Sequence, residues 1–260
     1  MHVGFKQVLI GFIIKNDARE ILLRTAENRD VYIPQYAVKK IMAISSDEFD
    51  IKGDYVGEDK FATRYFITTN GLPLKKRENY IQWNWFGPDV QFAITDKLGL
   101  GVMTSWFATP LLGTAKYSFD VGKSVHGCFG AILGTTSWLA FPDIGVTGGL
   151  ALPFASISVG NRTHNMAFSG GYGAIGFDGE INGRFLLSFA GMTKIGRKVS
   201  LVFDSFIVPA SKTGGVALLI PGMRFHVKDG NAFQFGFTGI ITEGEAFPVP
   251  VPMLQWYRSF

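Results

Sequence analysis

The feature that most restricts this chain is a period of two that begins near residue 79 and persists to residue 260. Ile81, Trp83 and Trp85 fall on one side of a strand and Gln82 and Asn84 on the other. Val90, Phe92 and Ile94 oppose Gln91, Ala93 and Thr95, and Ala115, Tyr117, Phe119 and Val121 oppose Lys116, Ser118 and Asp120. The same division recurs at Phe185, Leu187 and Phe189, at Val199, Leu201 and Phe203, and at Phe233, Phe235 and Phe237. Side chains alternate across a strand, so each ribbon has one aromatic face and one small or polar face. A helix cannot use this pattern, and 32 glycines would weaken any helix that tried.

Turn signals separate the strands: Asp96-Lys97, Gly122-Lys123, Pro142-Asp143, Asn161-Arg162, Asp178-Gly179, Gly196-Arg197, 212–215 and 229–231. Their spacing of roughly a dozen residues or more suits strands long enough to cross a bilayer, about 9–11 residues each. A soluble sandwich also alternates, but its polar face carries many Lys and Glu. Here that face is Gly, Ala, Ser, Thr, Gln and Asn, with scattered charges at Lys116, Asp120, Asp204 and Arg224. Small polar residues with few charges suit a lumen, and aromatics suit lipid. The fold expected is therefore an all-β, antiparallel transmembrane barrel of about 12 strands over 79–260, with a small N-terminal β-rich soluble segment.

Charge divides the chain in the same place. The first 97 residues hold 27 of the 46 charged side chains, leaving 19 for the 163 that follow. Residues 1–45 contain short Ile/Val/Leu runs at 8–14, 20–25 and 31–33, split by turns at Asn16-Asp17 and 28–30, with a fourth strand expected over 36–44. This predicts a small curled sheet of the SH3-like kind. Residues 46–78 read as linker and lead-in: 45–60 are acidic and polar, 61–69 apolar and extended, and Asn70-Gly71 a positive-φ turn. The stretch 61–76 is expected near or inside the barrel mouth. Val8–Ile14 is too short for an export signal, so the sequence reads as a mature chain without one.

The run Thr63-Arg64-Tyr65-Phe66-Ile67-Thr68-Thr69-Asn70-Gly71-Leu72-Pro73-Leu74-Lys75-Lys76, with residues 79–84, resembles uncharacterised outer-membrane β-barrel proteins of Bacteroidota-type bacteria. In these an Arg-Tyr-Phe segment and a Pro-Leu-Lys-Lys turn lead into the first barrel strand. The stretch Ile-Ile-Lys-Asn-Asp-Ala-Arg-Glu-Ile-Leu-Leu, residues 13–23, is similar to their N-terminal β segment. The resemblance implies the fold and an outer-membrane location with the N-terminal segment in the periplasm. It brings no active-site residues.

The chemistry legible in the residues is sparse. His2, His126, His164 and His226 have no metal-ligand spacing, and Cys128 stands alone, so neither metal, cofactor nor disulfide is expected. His126, Ser124 and Asp120 form the one obvious hydrolase-like trio, read here as loop or lumen residues. Gly170-Gly171-Tyr172-Gly173 lacks the strand–loop–helix context of a phosphate loop. Lys75-Lys76-Arg77 has acids close by and reads as a solvated loop, not a nucleic-acid footprint. Lys116, Asp120, Asp204 and Arg224 are expected in the lumen, Asp204 and Arg224 as an ion pair or network. Phe260, ending a strand-like run, is expected to serve as the signal read by barrel-assembly machinery, with Trp256 and Tyr257 in an interfacial aromatic girdle. The partners expected are membrane lipid, that machinery, and a small-molecule or lipid ligand. The function expected is a structural barrel, a narrow or plugged pore, or a binder of a small or amphipathic molecule. The alternatives are a lipid-modifying barrel enzyme and a soluble β-barrel binding a hydrophobic ligand.

Overall fold

A computed structural model of the chain describes residues 8–25, 27–44, 48–49, 55–136, 148–177, 180–211, 214–228, 230–242, 245–247 and 250–260. The chain divides into two compact units, 1–57 and 58–260. Pro142-Asp143 and Asp178-Gly179 lie outside the described residues, as do Lys212, Thr213 and Asp229.

The first unit is a three-stranded antiparallel sheet of β1 (Gly11–Asn16), β2 (Glu20–Thr25) and β3 (Asp30–Pro34) in that order. Asp17 forms the first turn by accepting the amides of Arg19 and Glu20, each at 2.9 Å. Arg24 grips Asp30 across the second with two hydrogen bonds of 2.7 and 2.9 Å. Alternation buries Ile21 and Leu23 of β2. The fourth strand expected over 36–44 does not form. Pro34 ends β3, a 3₁₀ turn follows at Gln35–Ala37, and the Gln35 side chain bonds Asn16 and the Asp17 carbonyl. The chain leaves the sheet edge because Gln35 is tied back to the β1–β2 turn.

The second unit is a closed antiparallel barrel of twelve strands among the described residues. In chain order they are β4 (Tyr80–Trp83), β5 (Pro88–Ala93), β6 (Leu98–Thr104), β7 (Leu111–Asp120), β8 (Val125–Thr135), β9 (Gly148–Gly160), β10 (His164–Phe177), β11 (Glu180–Gly196), β12 (Val199–Ser211), β13 (Gly214–Lys228) and β14 (Asn231–Thr242), with β16 (Val251–Ser259) as the twelfth. The two-residue β15 (Glu245–Ala246) only extends β14. Each strand pairs with its sequence neighbour, and β16 closes the ring by pairing with both β14 and β4. Closure leaves no exposed edge, which removes the usual route to edge-to-edge association.

Register settles which face points where. Inward positions include Lys116, Ser118, Ser158, Ser188, Asp204, Arg224, Gln234, Gln255 and Tyr257, and outward ones carry the aromatics, as the alternation implies. The wall is uneven. Strands β9 to β13 run 12 residues or more, whereas β4, β5 and β6 have only 4, 6 and 7. That departs from the expected uniform length. Beyond these short strands Trp85, Phe86, Trp106 and Phe107 stand exposed, and the Trp106 indole N–H donates to the Asn84 and Trp85 carbonyls.

The connections after β5, β7, β9, β11 and β13 have two to four residues and lie at one end of the barrel. Residues 58–78 are inserted from that end. The amide of Asp59 donates to the Arg162 carbonyl in the β9–β10 turn at 3.0 Å, and Arg162 pairs with Glu78 on the way out. Between them the chain fills the lumen: Phe61, Ala62, Tyr65, Phe66, Leu72 and Leu74 are all buried. Asp59 and its neighbours, expected in a linker, belong to the barrel core. Residues 61–69, expected to be extended, instead turn at 61–63 and make only an isolated bridge between Arg64 and Thr69.

Phe66 rests where the wall has no side chain. Gly222 and Gly236 face each other on β13 and β14, and a Cβ on either would lie 2.5 or 2.6 Å from the Phe66 ring. Gly236→Val is expected to cost about 1–3 kcal/mol by overpacking, and Phe66→Ala in the same chain to recover part of it. Urea unfolding measures both.

Candidate functional site

The inserted segment is irregular, so its backbone satisfies itself only in a few turns, such as Arg64 to Phe61 and Tyr65 to Thr68, and a buried amide or carbonyl without a partner costs about 1–3 kcal/mol. The wall side chains supply those partners. Arg224, fully buried on β13, donates to the Phe61 carbonyl at 2.8 Å and the Arg64 carbonyl at 2.6 Å. Its remaining nitrogen bonds Gln234 at 2.7 Å, and its guanidinium lies 5.0 Å over the Tyr257 ring. The Tyr257 hydroxyl donates to the Tyr65 carbonyl at 3.1 Å, and Gln255 donates to that of Phe66 at 2.6 Å. Asp204, fully buried on β12, accepts the amides of Ile67 and Thr68 and the Thr68 hydroxyl, at 2.6, 2.9 and 2.6 Å.

The return limb is held from the other side of the barrel. Lys116 on β7 donates to Thr69 Oγ1 at 3.3 Å and to the carbonyls of Asn70 and Leu72, each at 3.2 Å. Ser158 accepts the Gly71 amide at 2.7 Å, and the Cys128 thiol donates to the Asn70 carbonyl at 3.4 Å. Gly71 has no positive φ, contrary to the turn expected at Asn70-Gly71. Its missing side chain serves close approach instead: a Cβ there would sit 2.4 Å from the His126 carbonyl oxygen.

At the base of the segment Asp59 and Arg224 form an ion pair of 3.1 Å in which both side chains are fully buried. Asp59 also accepts from Ser200 at 3.0 Å and from the Phe61 amide at 2.8 Å, with His226 Nε2 at 3.2 Å. Burial works against the Asp59 charge, but Arg224 and then His226 outweigh it and hold the carboxyl well below the usual carboxylate range. A carboxyl depressed in the folded state stabilises above its unfolded value of about 3.9 and loses that contribution only as pH falls through the lower folded value. The Asp59 contribution to seating is therefore expected to be unchanged between about pH 7 and pH 5, as read by amide exchange at Phe61, whose amide Asp59 accepts.

Sequence reasoning placed Lys116, Asp204 and Arg224 in the lumen, and all three are there. It expected Asp204 and Arg224 to meet each other, and they do not: Asp204 stands opposite Ile220 and Arg224 opposite Ser200, and each is spent on a different part of the inserted segment. Asp120 is not in this set. It is exposed at the barrel end and bonds His126 Nδ1 at 2.6 Å. Ser124 makes no side-chain hydrogen bond to that histidine among the described residues, so the trio lacks an activated hydroxyl.

The cluster that reading missed is Asp59, Ser200 and His226. It is no charge-relay arrangement, because the same His226 nitrogen faces both Ser200, at 3.2 Å, and Asp59. Ser200 is fully buried and donates to Asp59. Gly170–Gly173 lie within β10, and Lys75 pairs with Glu58. Phe260 is exposed, its amide donating to the Asn79 carbonyl at 3.1 Å and its ring 6.1 Å from that of Phe92.

Beyond the tip of the inserted segment lies a cavity of about 140 Å³. Its polar lining comes mostly from the segment and from β5–β7, with Arg64, Thr68, Gln91, Thr114 and Lys116, and also from Ser169 on β10 and Ser188 on β11. Its apolar lining comes from β8, β9, β11 and β12, with Ile132, Leu152, Phe154, Leu186 and Phe206. A plug holding one wall of a two-faced chamber defines the class of object: a closed, internally plugged β-barrel. Comparison of the chain with protein-family models, curated proteins and solved structures finds no match.

Arg224→Met leaves Asp59 buried without its guanidinium and is expected to cost about 3–5 kcal/mol. Adding Asp59→Leu to it should recover the electrostatic share of that loss, as read by urea unfolding. Asp204→Ala frees three donors that now bind a charged acceptor, so amide exchange at Ile67 and Thr68 is expected to quicken by roughly an order of magnitude or more.

Proposed function

We propose that the protein is an outer-membrane β-barrel that spans lipid with its lumen plugged by residues 58–78, and that it retains a small molecule beyond the plug instead of conducting freely. The observation that carries this is the outer face. Phe129, Phe168, Phe185, Phe189, Phe237 and Trp256 point away from the lumen, each 45–69% exposed. Water-facing surfaces rarely leave so much apolar area uncovered, and lipid is the solvent that accepts it. The closed ring fits the same solvent, since a closed barrel satisfies every strand N–H and C=O internally.

The longer connections between barrel strands in sequence, 105–110 and 136–147 among them, leave the end opposite to residues 58–78, as the extracellular loops of outer-membrane barrels do. On that reading the N-terminal segment lies in the periplasm, and Phe260 is the residue offered to the assembly machinery. At the short strands β4 to β6, the exposed Trp85, Phe86, Trp106 and Phe107 extend the apolar surface that lipid would cover.

The test is heat modifiability with conductance. The detergent-folded protein is expected to migrate differently on a gel before and after boiling, and to show no sustained open-channel current in a planar bilayer. Arg224→Ala with Asp59→Ala, which unpins the plug, is expected to produce current steps. Recovery of the folded protein from the soluble fraction without detergent would favour a soluble barrel and end the membrane reading.

A further inference from the structure

We infer that the chamber beyond the plug is a binding site for a compact organic monocarboxylate, one anionic group on an apolar body of about six carbons. The inference rests on the plugged-barrel reading and adds the ligand class. Two observations carry it: the charge of the chamber lining and the cluster of bulky apolar side chains that β8, β9, β11 and β12 bring to it.

The charged residues that line the chamber are Arg64 and Lys116, both cationic. Arg64 is matched by Asp89, which its Nη2 contacts, but its Nε is buried with no hydrogen-bond partner. Lys116 makes no ion pair among the described residues. Its ammonium rests on three neutral oxygens at 3.2–3.3 Å, long for charge-assisted bonds. Asp204, the nearby acid on β12, is not part of the lining and spends both oxygens on the plug. The three donors of Lys116 all rest on neutral oxygens of the plug, and a carboxylate that takes over one of them replaces a long neutral contact with a short charge-assisted bond. The Thr68, Thr114 and Ser169 side chains also line the chamber, and Gln91 is held there by Asp89 at 2.6 Å.

The apolar half sets the body of the ligand. Ile132, Leu152, Phe154, Leu186 and Phe206 present no polar side-chain atom, so only a hydrocarbon or aromatic group is favoured against them. A cavity of about 140 Å³ is close to the size that holds a benzene molecule, about 150 Å³ in an engineered case. A ligand joining the two halves therefore has a carboxylate toward Lys116 and Arg64 and a ring or short chain toward β8–β12. Most binding pockets pair a mainly apolar wall with a few placed polar groups in this way.

The experiment titrates the full-length protein in micelles with benzoate, benzyl alcohol and benzylamine at neutral pH, using calorimetry or saturation-transfer NMR. Saturable benzoate binding is expected, roughly tenfold or more tighter than for benzyl alcohol, the effect of one hydrogen bond to a charged group. No saturable binding is expected for benzylamine. Lys116→Gln should weaken benzoate by a similar factor. Because Lys116 also holds the plug, Leu186→Trp serves as a second variant that fills the chamber without touching the plug, and it should abolish binding. Both variants are scored only where they keep the heat-dependent gel shift. Benzoate that fails to saturate, that binds no better than benzyl alcohol, or that ignores Leu186→Trp would overturn the inference. These results leave the membrane reading standing, whereas loss of the gel shift in the unaltered protein ends both.

Discussion

An irregular stretch of backbone inside a closed barrel has no neighbour strand to pair with, and the amides and carbonyls that its own turns leave unpaired must find side chains. That constraint explains the composition of the lumen. Arg224, Gln234, Gln255 and Tyr257 receive or bridge carbonyls from the descending limb, Asp204 receives two amides at the tip, and Lys116, Ser118 and Ser158 take the returning limb. These side chains come from strands more than 100 positions apart in sequence, and the plug is what brings their functions together. Arg224 sits at the centre because a guanidinium offers donors in several directions at once. It binds the ion-pair partner, two carbonyls and a glutamine while fully buried. The glycines at 222 and 236 complete the fit by leaving room for the Phe66 ring.

Much of the barrel was legible in the sequence because a period of two is a purely local signal. Each strand states its two faces without knowledge of its neighbours, and the glycine-rich turns mark where it stops. Lys116, Asp204 and Arg224 were readable as lumenal for the same reason: each occupies the polar phase of an aromatic strand. Asp120 carries the same phase, but it closes its strand and so stands at the barrel end, paired with His126. Phase gives the face and says nothing of depth.

What local pattern could not show is partnership. Asp204 and Arg224 looked like a pair because they lie on adjacent strands, yet register sets them at different levels and the plug separates their roles. The stretch 61–76 was expected near or inside the barrel mouth, but Asp59 looked like linker because it is polar, and 61–69 looked like an extended strand because they are apolar. The burial of the plug depends on contacts with Arg162, Arg224 and Asp204, at separations of about 100 residues or more. One signal was available: a run such as Phe61-Ala62-Thr63-Arg64-Tyr65-Phe66 is too apolar to sit in water between two domains. Likewise 36–44 has strand-forming residues, but the side chain of Gln35 pulls the chain off the sheet.

The orientation of the aromatic face is the premise on which the proposed membrane location rests. Site-directed spin labelling tests it directly, with single cysteines introduced in a Cys128→Ser background at Phe129, Phe168 and Phe189 on the outer face and at Thr114 and Ser169 on the inner. With the protein reconstituted in lipid bilayers, nitroxides at the three outer positions are expected to collide with dissolved oxygen far more than with a water-soluble nickel chelate. The two inner positions are expected to be shielded from both reagents. Outer labels that meet the nickel chelate as freely as oxygen would contradict the account.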